Sequence, residues 1–240
     1  MYTKSAHLYD AIYGFKDYAG ETKKLHALIQ QHKRSPGTAL LEAACGTGRY
    51  IEHLRQHYTI EGLDVDEGML AIAHQKYPEV VVHRANMVDF DLGRQFDVVA
   101  CLFSSIGYVK TLERFRQTLR TFSRHTAPGG LVIVEPWLRP EQWEIGHVAA
   151  AYINQPKLRV SRYTVSQQDG ILAVMDMHYL VATPAGVEHF TELHKMALFT
   201  DEEYQAAFED AGLKVIYDPE GLMGRGLYLG LQSLAEGEKG

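Results

Sequence analysis

Residues 42–50 read EAACGTGRY, a glycine-punctuated turn that follows the apolar run TALL and carries a carboxylate, Glu42, at its mouth. Glycine-rich turns leading from a strand into a helix commonly cradle phosphates, because the free N–H groups of a helix start face the ligand. Two features argue against that use here. A dinucleotide-binding turn spaces its glycines G-x-G-x-x-G, and this one has Gly46 and Gly48 but Ile51 in third place; the G-K-S or G-K-T of a phosphate-binding loop is absent too. Glu42 would also repel a pyrophosphate, since like charges cost energy at any dielectric below that of water. A cationic ligand would be attracted instead, and the two glycines would let the backbone pass close to it with no Cβ in the way. Asp64 ends the next apolar stretch, EGLD, where a carboxylate suits the two hydroxyls of a ribose. Asn86 and Met87 follow the third stretch, where an amide could pair with an adenine edge and a thioether could lie on its face. A nucleoside carrying an ammonium and a sulfonium, as S-adenosylmethionine does, meets these requirements.

The elements that must position these residues alternate between two periodicities. Leu25, Leu28 and Ile29 predict a helix over 20–34 that SPG at 35–37 stops, and a strand follows over 38–42. Tyr50, Ile51 and Leu54 fall on one helical face, a short strand covers 58–63, and Asp66 can cap a helix over 67–76. Strands are expected at VVVH (80–83) and FDVVACLF (96–103), then a helix over 112–125 with Leu112, Phe115, Leu119 and Phe122 on its apolar face, an APGG turn, and the strand LVIVEP. Strands this apolar, alternating with helices, imply a parallel sheet covered on both faces. In such a sheet ligands bind beyond the carboxyl ends of the strands, and the first turn is the usual place. After Pro136 apolar and polar residues alternate, with turn signals at QDG and TPAG, which reads as two or three antiparallel strands inserted into the sheet domain. Thr200 and Glu203 predict a capping box for a helix that Gly212 ends, KVIY (214–217) and GLYLGLQ (226–232) supply two closing strands, and the tail AEGEKG is expected to fray.

Composition narrows the partners. The chain has 240 residues, 24 Lys and Arg against 30 Asp and Glu, and a net charge of −6, with no basic run long enough to track a phosphodiester backbone, so nucleic acid is not expected. No segment approaches the roughly 20 apolar residues of a membrane span, and the start MYTKSAHLYDAIYGF has neither the charged nor the apolar region of a secretory signal. A cytoplasmic protein is expected. Cys45 and Cys101 are the only cysteines, and Cys45 has neither a CxxC partner nor an adjacent base, so it reads as a space-filler. The insert histidines His178, His189 and His194 lack HxxxH or HExxH spacing, and no metal is expected.

EAACGTGRY, GLDVDEGML, ANMVDFD, FDVVACLFSSIGYV and APGGLVIVEPW, in that order over residues 38–137, resemble the motif series of class I S-adenosylmethionine-dependent methyltransferases. LYDAIYGFKDYAGE, CLFSSIGYV, VEPW, VSRY, FTELHKMALFT and GRGLYLGL extend the likeness over nearly the whole chain to the nucleotide-linked amino-sugar N,N-dimethyltransferases of antibiotic biosynthesis. The resemblance implies an α/β fold, the Rossmann-like seven-stranded sheet of class I methyltransferases with an antiparallel β insert, as one domain over 1–240 with the insert over 138–199 forming the acceptor pocket. It implies S-adenosyl-L-methionine as cofactor, a small-molecule acceptor carrying an amine on a TDP-sugar, and allows a homodimer. Among cofactor contacts it adds Tyr18 and Phe103 to Glu42, Gly46, Gly48, Asp64, Asn86 and Met87. Tyr13 would face the reacting amine, Glu135 and Trp137 would line the acceptor pocket, and Arg162 and Arg225 would hold the nucleotide phosphates, a task suited to guanidinium. One position departs from the pattern: Tyr108 stands where the family's SSIGH-type histidine would be.

Methyl transfer to an amine is a displacement by a neutral nucleophile, so an ammonium must first lose a proton, and Tyr13 or Tyr108 could orient the freed lone pair. Other readings stay open on sequence: an O- or N-methyltransferase of another small metabolite, which Tyr108 favours, and a non-catalytic nucleoside-binding module. A nicotinamide-dependent oxidoreductase is disfavoured by Glu42 and Ile51.

Overall fold

Leu40, Leu41, Val98, Val99 and Ala100 lose all contact with solvent, which requires layers on both sides of the strands that carry them. The structure, a computed structural model that describes residues 4–234, supplies those layers. The chain runs α1 (Tyr9–Ile12), α2 (Tyr18–His32), β1 (Ala39–Ala43), α3 (Ile51–Leu54), β2 (Thr59–Asp64), α4 (Glu67–Lys76), β3 (Val81–Arg84), β4 (Phe96–Cys101), α5 (Leu112–Arg124) and β5 (Thr126–Val134). It continues through β6 (Val148–Gln155), β7 (Leu158–Asp169), β8 (Leu172–Thr183) and β9 (Gly186–Ala197), then α6 (Asp201–Asp210), β10 (Lys214–Asp218) and β11 (Leu227–Leu231).

The first sheet has seven strands in the order β10-β11-β5-β4-β1-β2-β3. β1 pairs in parallel with both β2 and β4, and β11 is antiparallel to β5 and β10. The chain moves outward from β1 to β3 and then returns to β4 on the other side, so strand order reverses between β1 and β4. That is where a doubly wound sheet opens a crevice at its carboxyl edge, and Glu42 stands there opposite Ala100. Local chemistry fixes the helix starts: Asp17, Asp66 and Thr111 accept from the N–H groups of Gly20, Met69 and Arg114, and Thr200 and Glu203 form the reciprocal box.

The insert differs from expectation. Instead of two or three antiparallel strands, four make up the insert, a sheet of their own in the order β6-β7-β8-β9. β6 is weakly marked because VAAAYINQ alternates small and polar residues and buries only Ile153. The inner face of this sheet, with Val160, Met177, Tyr179, Val181 and Phe190, packs on Leu8 and Ile12, so the N-terminal segment lies beneath the insert. APGG is a bulge within β5 and not a free turn: Thr126 pairs with Phe96 and Leu131 with Val98, while Gly129 takes φ 74°. The helix after the glycine turn is a single turn, α3, and the tail AEGEKG lies outside the described residues. Among the described residues no helix is long and apolar enough to cross a membrane.

Candidate active site

The turn after β1 bends sharply, with Ala44 at φ 59°, Gly46 at 54° and Gly48 at 77°. The two glycines serve different ends. A Cβ on Gly46 would meet nothing within 4 Å, so its open side faces the cleft. A Cβ on Gly48 would approach the Tyr77 ring at 3.1 Å, so that glycine lets the turn close against the end of α4 and takes no place on the cleft wall. Asp64 ties the turn to β2: its Oδ2 accepts the Gly46 N–H at 2.9 Å and its Oδ1 the Asp66 N–H at 2.9 Å. A carboxylate has about four acceptor positions, and two remain for a ribose. Burial pushes the Asp64 carboxyl up, with those two N–H groups opposing.

A cavity of about 270 Å³ opens beside Asp64, bounded by Asn86, Met87, Ser105 and Tyr108. The Asn86 side-chain oxygen accepts the Val88 N–H at 3.1 Å, which leaves its amide NH₂ to donate. A narrower extension of about 30 Å³, sharing Tyr9, Ala44, Gly46 and Ser105 with the first cavity, runs between Glu42, Tyr18 and Arg49. Three buried polar atoms meet here with no partner among the described residues: Glu42 Oε2, the Tyr18 hydroxyl and Arg49 Nε. Native interiors leave few polar groups unsatisfied, and a cluster of them marks a ligand's place. Burial, then the charge of Asp64, pushes the Glu42 carboxyl well above the usual range. An ammonium beside it relieves that cost, while the Arg49 guanidinium suits a carboxylate. The narrow end therefore fits the amino-acid part of S-adenosylmethionine and the wide end its adenosine.

The opposite wall is built under strain. Phe103 and Ser104, just past β4, both take left-handed φ of 49° and 61°, a conformation costly for non-glycine residues and concentrated at functional sites. They are held from behind: Glu135 Oε2 accepts the Phe103 N–H at 2.6 Å, the Ser104 hydroxyl donates to the Pro136 carbonyl at 2.8 Å, and Arg225 donates to Ser104 Oγ at 2.9 Å. Lys16 covers Phe103, with its Nζ 4.6 Å from the ring centroid and paired with the Glu21 carboxylate. Tyr13 lies edge-on to Phe103 at 5.1 Å and 4.7 Å from Tyr9. Arg162 donates to the Tyr13 hydroxyl at 3.3 Å, and Arg225 lies 5.1 Å from the Trp137 ring, whose buried Nε1 has no partner among the described residues.

Tyr18, Glu42, Gly46, Asp64, Asn86, Met87, Phe103 and Tyr108 thus share one cleft, while Tyr13 and Trp137 pack against the core under the insert, with Arg162 on Tyr13 and Arg225 on Trp137. Glu135 lines neither of the two cavities; it is fully buried, its Oε2 holds Phe103 from behind, and its Oε1 has no partner among the described residues. Sequence reasoning missed Tyr9, Ser105 and Arg49. Only Arg49 carried a signal, as a cation inside an otherwise acidic loop. Among the described residues no group of three or more His, Cys, Asp or Glu could hold a metal ion.

Residues 40–130 match the "Methyltransferase domain" family. The chain is 43% identical over 238 residues to the dTDP-3-amino-3,6-dideoxy-alpha-D-glucopyranose N,N-dimethyltransferase of Streptomyces fradiae, covering 97% of this chain and 92% of that one. The chain belongs to the TDP-amino-sugar N,N-dimethyltransferase family. The fold of this methyltransferase superposes on Streptomyces venezuelae DesVI with a TM-score of 0.90 at 38% identity, covering 96% of this chain and 99% of the other. It also matches the S-adenosylmethionine-bound amino pentose methyltransferase CalS10 of Micromonospora echinaspora, with a TM-score of 0.85 at 33% identity over 94% and 97% of the two chains.

Proposed function

We infer that this methyltransferase methylates the amino group of a TDP-linked amino sugar in the cytoplasm. The observation that carries the reading is the junction of the two cavities: the narrow acidic pocket around Glu42, lined by Phe103 and Tyr9, joins the wider one lined by Tyr9 and Tyr108, and Tyr13 packs edge-on against Phe103 beside that junction. S-adenosylmethionine, when bound, supplies an electrophilic methyl group on a sulfonium. Glu42 and Arg49 hold its amino-acid end, Asp64 its ribose, and Asn86 with Met87 its adenine. Tyr13, fixed by Arg162, and Tyr108 present hydroxyls to the acceptor amine and turn its lone pair toward the methyl. Positioning of this kind is worth on the order of 7–11 kcal/mol of a bimolecular barrier. Gly48 and Glu135 act through the turn and the wall they support. The insert over 138–199 forms the acceptor side, where the Trp137 N–H has a donor to offer and Arg225 sits above it to meet the anionic end of the nucleotide.

A second copy of the chain would find apolar and aromatic groups on the outer face of the insert sheet, where Val148, Tyr152, Tyr163, Val165 and Leu180 are exposed. A homodimer joined there follows the usual fate of such patches. Tyr108 favours a second acceptor reading, another small polar amine, because a phenol replaces the family histidine at the chamber wall. Incubation of the protein with methyl-labelled S-adenosylmethionine and a panel of TDP-amino sugars and simple amines, with products read by mass, separates these. Label on a TDP-amino sugar supports the reading; label on simple amines alone overturns it.

A further inference from the structure

Left-handed backbone at Phe103 and Ser104 persists only where its surroundings over-determine it, and part of that restraint comes from the far end of the chain. Arg225, in the loop between β10 and β11, donates from Nη1 to Ser104 Oγ at 2.9 Å, and the Ser104 hydroxyl donates to the Pro136 carbonyl at 2.8 Å. Arg225 is itself fixed through its backbone. Arg139, 4% exposed, donates from Nη1 to the Arg225 carbonyl at 2.7 Å, from Nε to Asp201 Oδ1 at 2.7 Å, and from Nη2 to the Tyr217 and Tyr228 hydroxyls at 3.0 and 3.3 Å. One guanidinium thus joins the turn before the insert, the start of α6, β10, β11 and the loop that carries Arg225. The next residue seals that loop against β10: Gly226 takes φ 82°, and a Cβ there would meet the Tyr217 hydroxyl at 2.5 Å.

We propose that Arg139 and Arg225 form a strut that holds the Phe103–Ser104 turn in place for methyl transfer, both as positioning residues that act through Phe103. The inference rests on the methyl-transfer function given above and adds a second role to Arg225. Each link ends on a contact: Arg139 on the Arg225 carbonyl, Arg225 on Ser104, and the turn on the site itself, because Phe103 lines the narrow cavity and Tyr13 packs edge-on against its ring at 5.1 Å. Released from the strut, the turn would relax out of the left-handed region and carry Phe103 away from the place where the two cavities join. Methyl transfer depends on aligned reacting atoms, and a shift of about 1 Å costs on the order of 100-fold in rate.

Two features favour this over hydrogen bonds made only for packing. Arg139 is a buried cation, costly to desolvate, and one of its bonds goes to the backbone of the residue that braces the wall. Arg225 also reaches the wall by a second route. Glu135 accepts the Phe103 N–H at 2.6 Å; burial pushes its carboxyl up, and the charge of Lys16, the Phe103 N–H and the charge of Arg225 oppose that push. An ionised carboxylate is the stronger acceptor, so both cations tighten the bond that holds Phe103. Lys16 comes from the N-terminal segment and Arg225 from the loop before β11, and Lys16 Nζ lies 3.6 Å from Met223 Sδ in that same loop.

The test has two arms. In hydrogen exchange on the cofactor-free protein, Arg139→Gln and Arg225→Met should each speed exchange of the Phe103 amide on the order of 10-fold while the Val99 amide in β4 keeps its native protection. An unchanged Phe103 rate, or equal loss at Val99, overturns the strut without any acceptor being present. In turnover of the amine acceptor that the native protein methylates, each variant should lower kcat about 10- to 100-fold. The double variant should lose little more than either single one, since the two residues act as a unit. A loss seen in KM alone, or losses that multiply, would leave Arg225 to the phosphates and overturn the strut. Native protein that methylates no amine overturns the functional reading, and the exchange arm then decides the strut by itself. Should Arg139→Gln fail to fold, Arg139→Lys carries the same predictions, because it keeps a cation beside Asp201 and cannot also reach the Arg225 carbonyl.

Discussion

Glu42 is a buried carboxylate with one oxygen left without a partner among the described residues, at the point where two strands of a parallel sheet diverge. Its raised pKa has a consequence for binding. In the window between the ordinary carboxylate range and its raised value, Glu42 in the ligand-free fold keeps a proton that the unfolded chain has released, so its contribution to stability is lost as pH rises through that window. An ammonium arriving beside it expels the proton, so affinity for S-adenosylhomocysteine should rise as pH climbs from the ordinary carboxylate range toward that raised value, until the ligand's own ammonium begins to deprotonate near ~8. Calorimetry on Glu42→Gln should show weaker binding with that rise removed, and a flat profile in the native protein would remove Glu42 from the site. Glu42 and Asp64 were legible in sequence because a carboxylate at a strand end is chemically odd beside a glycine turn. Arg49 and Tyr9 were not: each is an ordinary residue until the fold turns it into the cleft. Glu135 read as a wall residue because its position after β5 is known from sequence, whereas its direction depends on the left-handed backbone of Phe103 and Ser104.

At the scale of elements, the helices announced themselves through their caps, and the insert did not announce its sheet. Thr200→Ala removes the hydroxyl that accepts the Glu203 N–H at 3.2 Å and should cost about 1 kcal/mol, read as a lower urea midpoint with unchanged slope. The N-terminal segment has no periodicity strong enough to predict α1, since four residues form a helix only because Leu8 and Ile12 bury under the insert. A polar contact also holds that segment down: buried Lys16 pairs with Glu21, which also accepts from the Tyr50 hydroxyl at 2.5 Å. Lys16→Met leaves the Glu21 charge buried without its cation and should destabilise by about 3–5 kcal/mol, while adding Glu21→Leu should restore much of the loss. A single variant as stable as the native protein would show that the pair does not anchor the segment. The four-stranded sheet was read with fewer strands because β6, which buries only Ile153, lacks the apolar alternation that reveals a strand.

At the scale of the molecule, the N-terminal segment, the main sheet and the insert meet at one cleft, so whatever binds there touches all three. A ligand specific to the native state stabilises by mass action. S-adenosylhomocysteine at 100 times its Kd should add about 2.7 kcal/mol and raise Tm, and NAD at equal concentration should not; the reverse ranking would return the cleft to phosphate chemistry. The topology of the main sheet was readable because a reversal of strand order follows from alternating strands and helices, while the acceptor side depends on how a second sheet docks, which no local pattern encodes. The most direct measurement is a crystal structure with S-adenosylhomocysteine and a TDP-amino sugar bound together. The account predicts the homocysteine ammonium beside Glu42, the ribose hydroxyls on Asp64, and the sugar nitrogen turned toward the sulfur between Tyr13 and Tyr108. A diphosphate lying against Glu42, or a sugar nitrogen facing away from the sulfur, would contradict it.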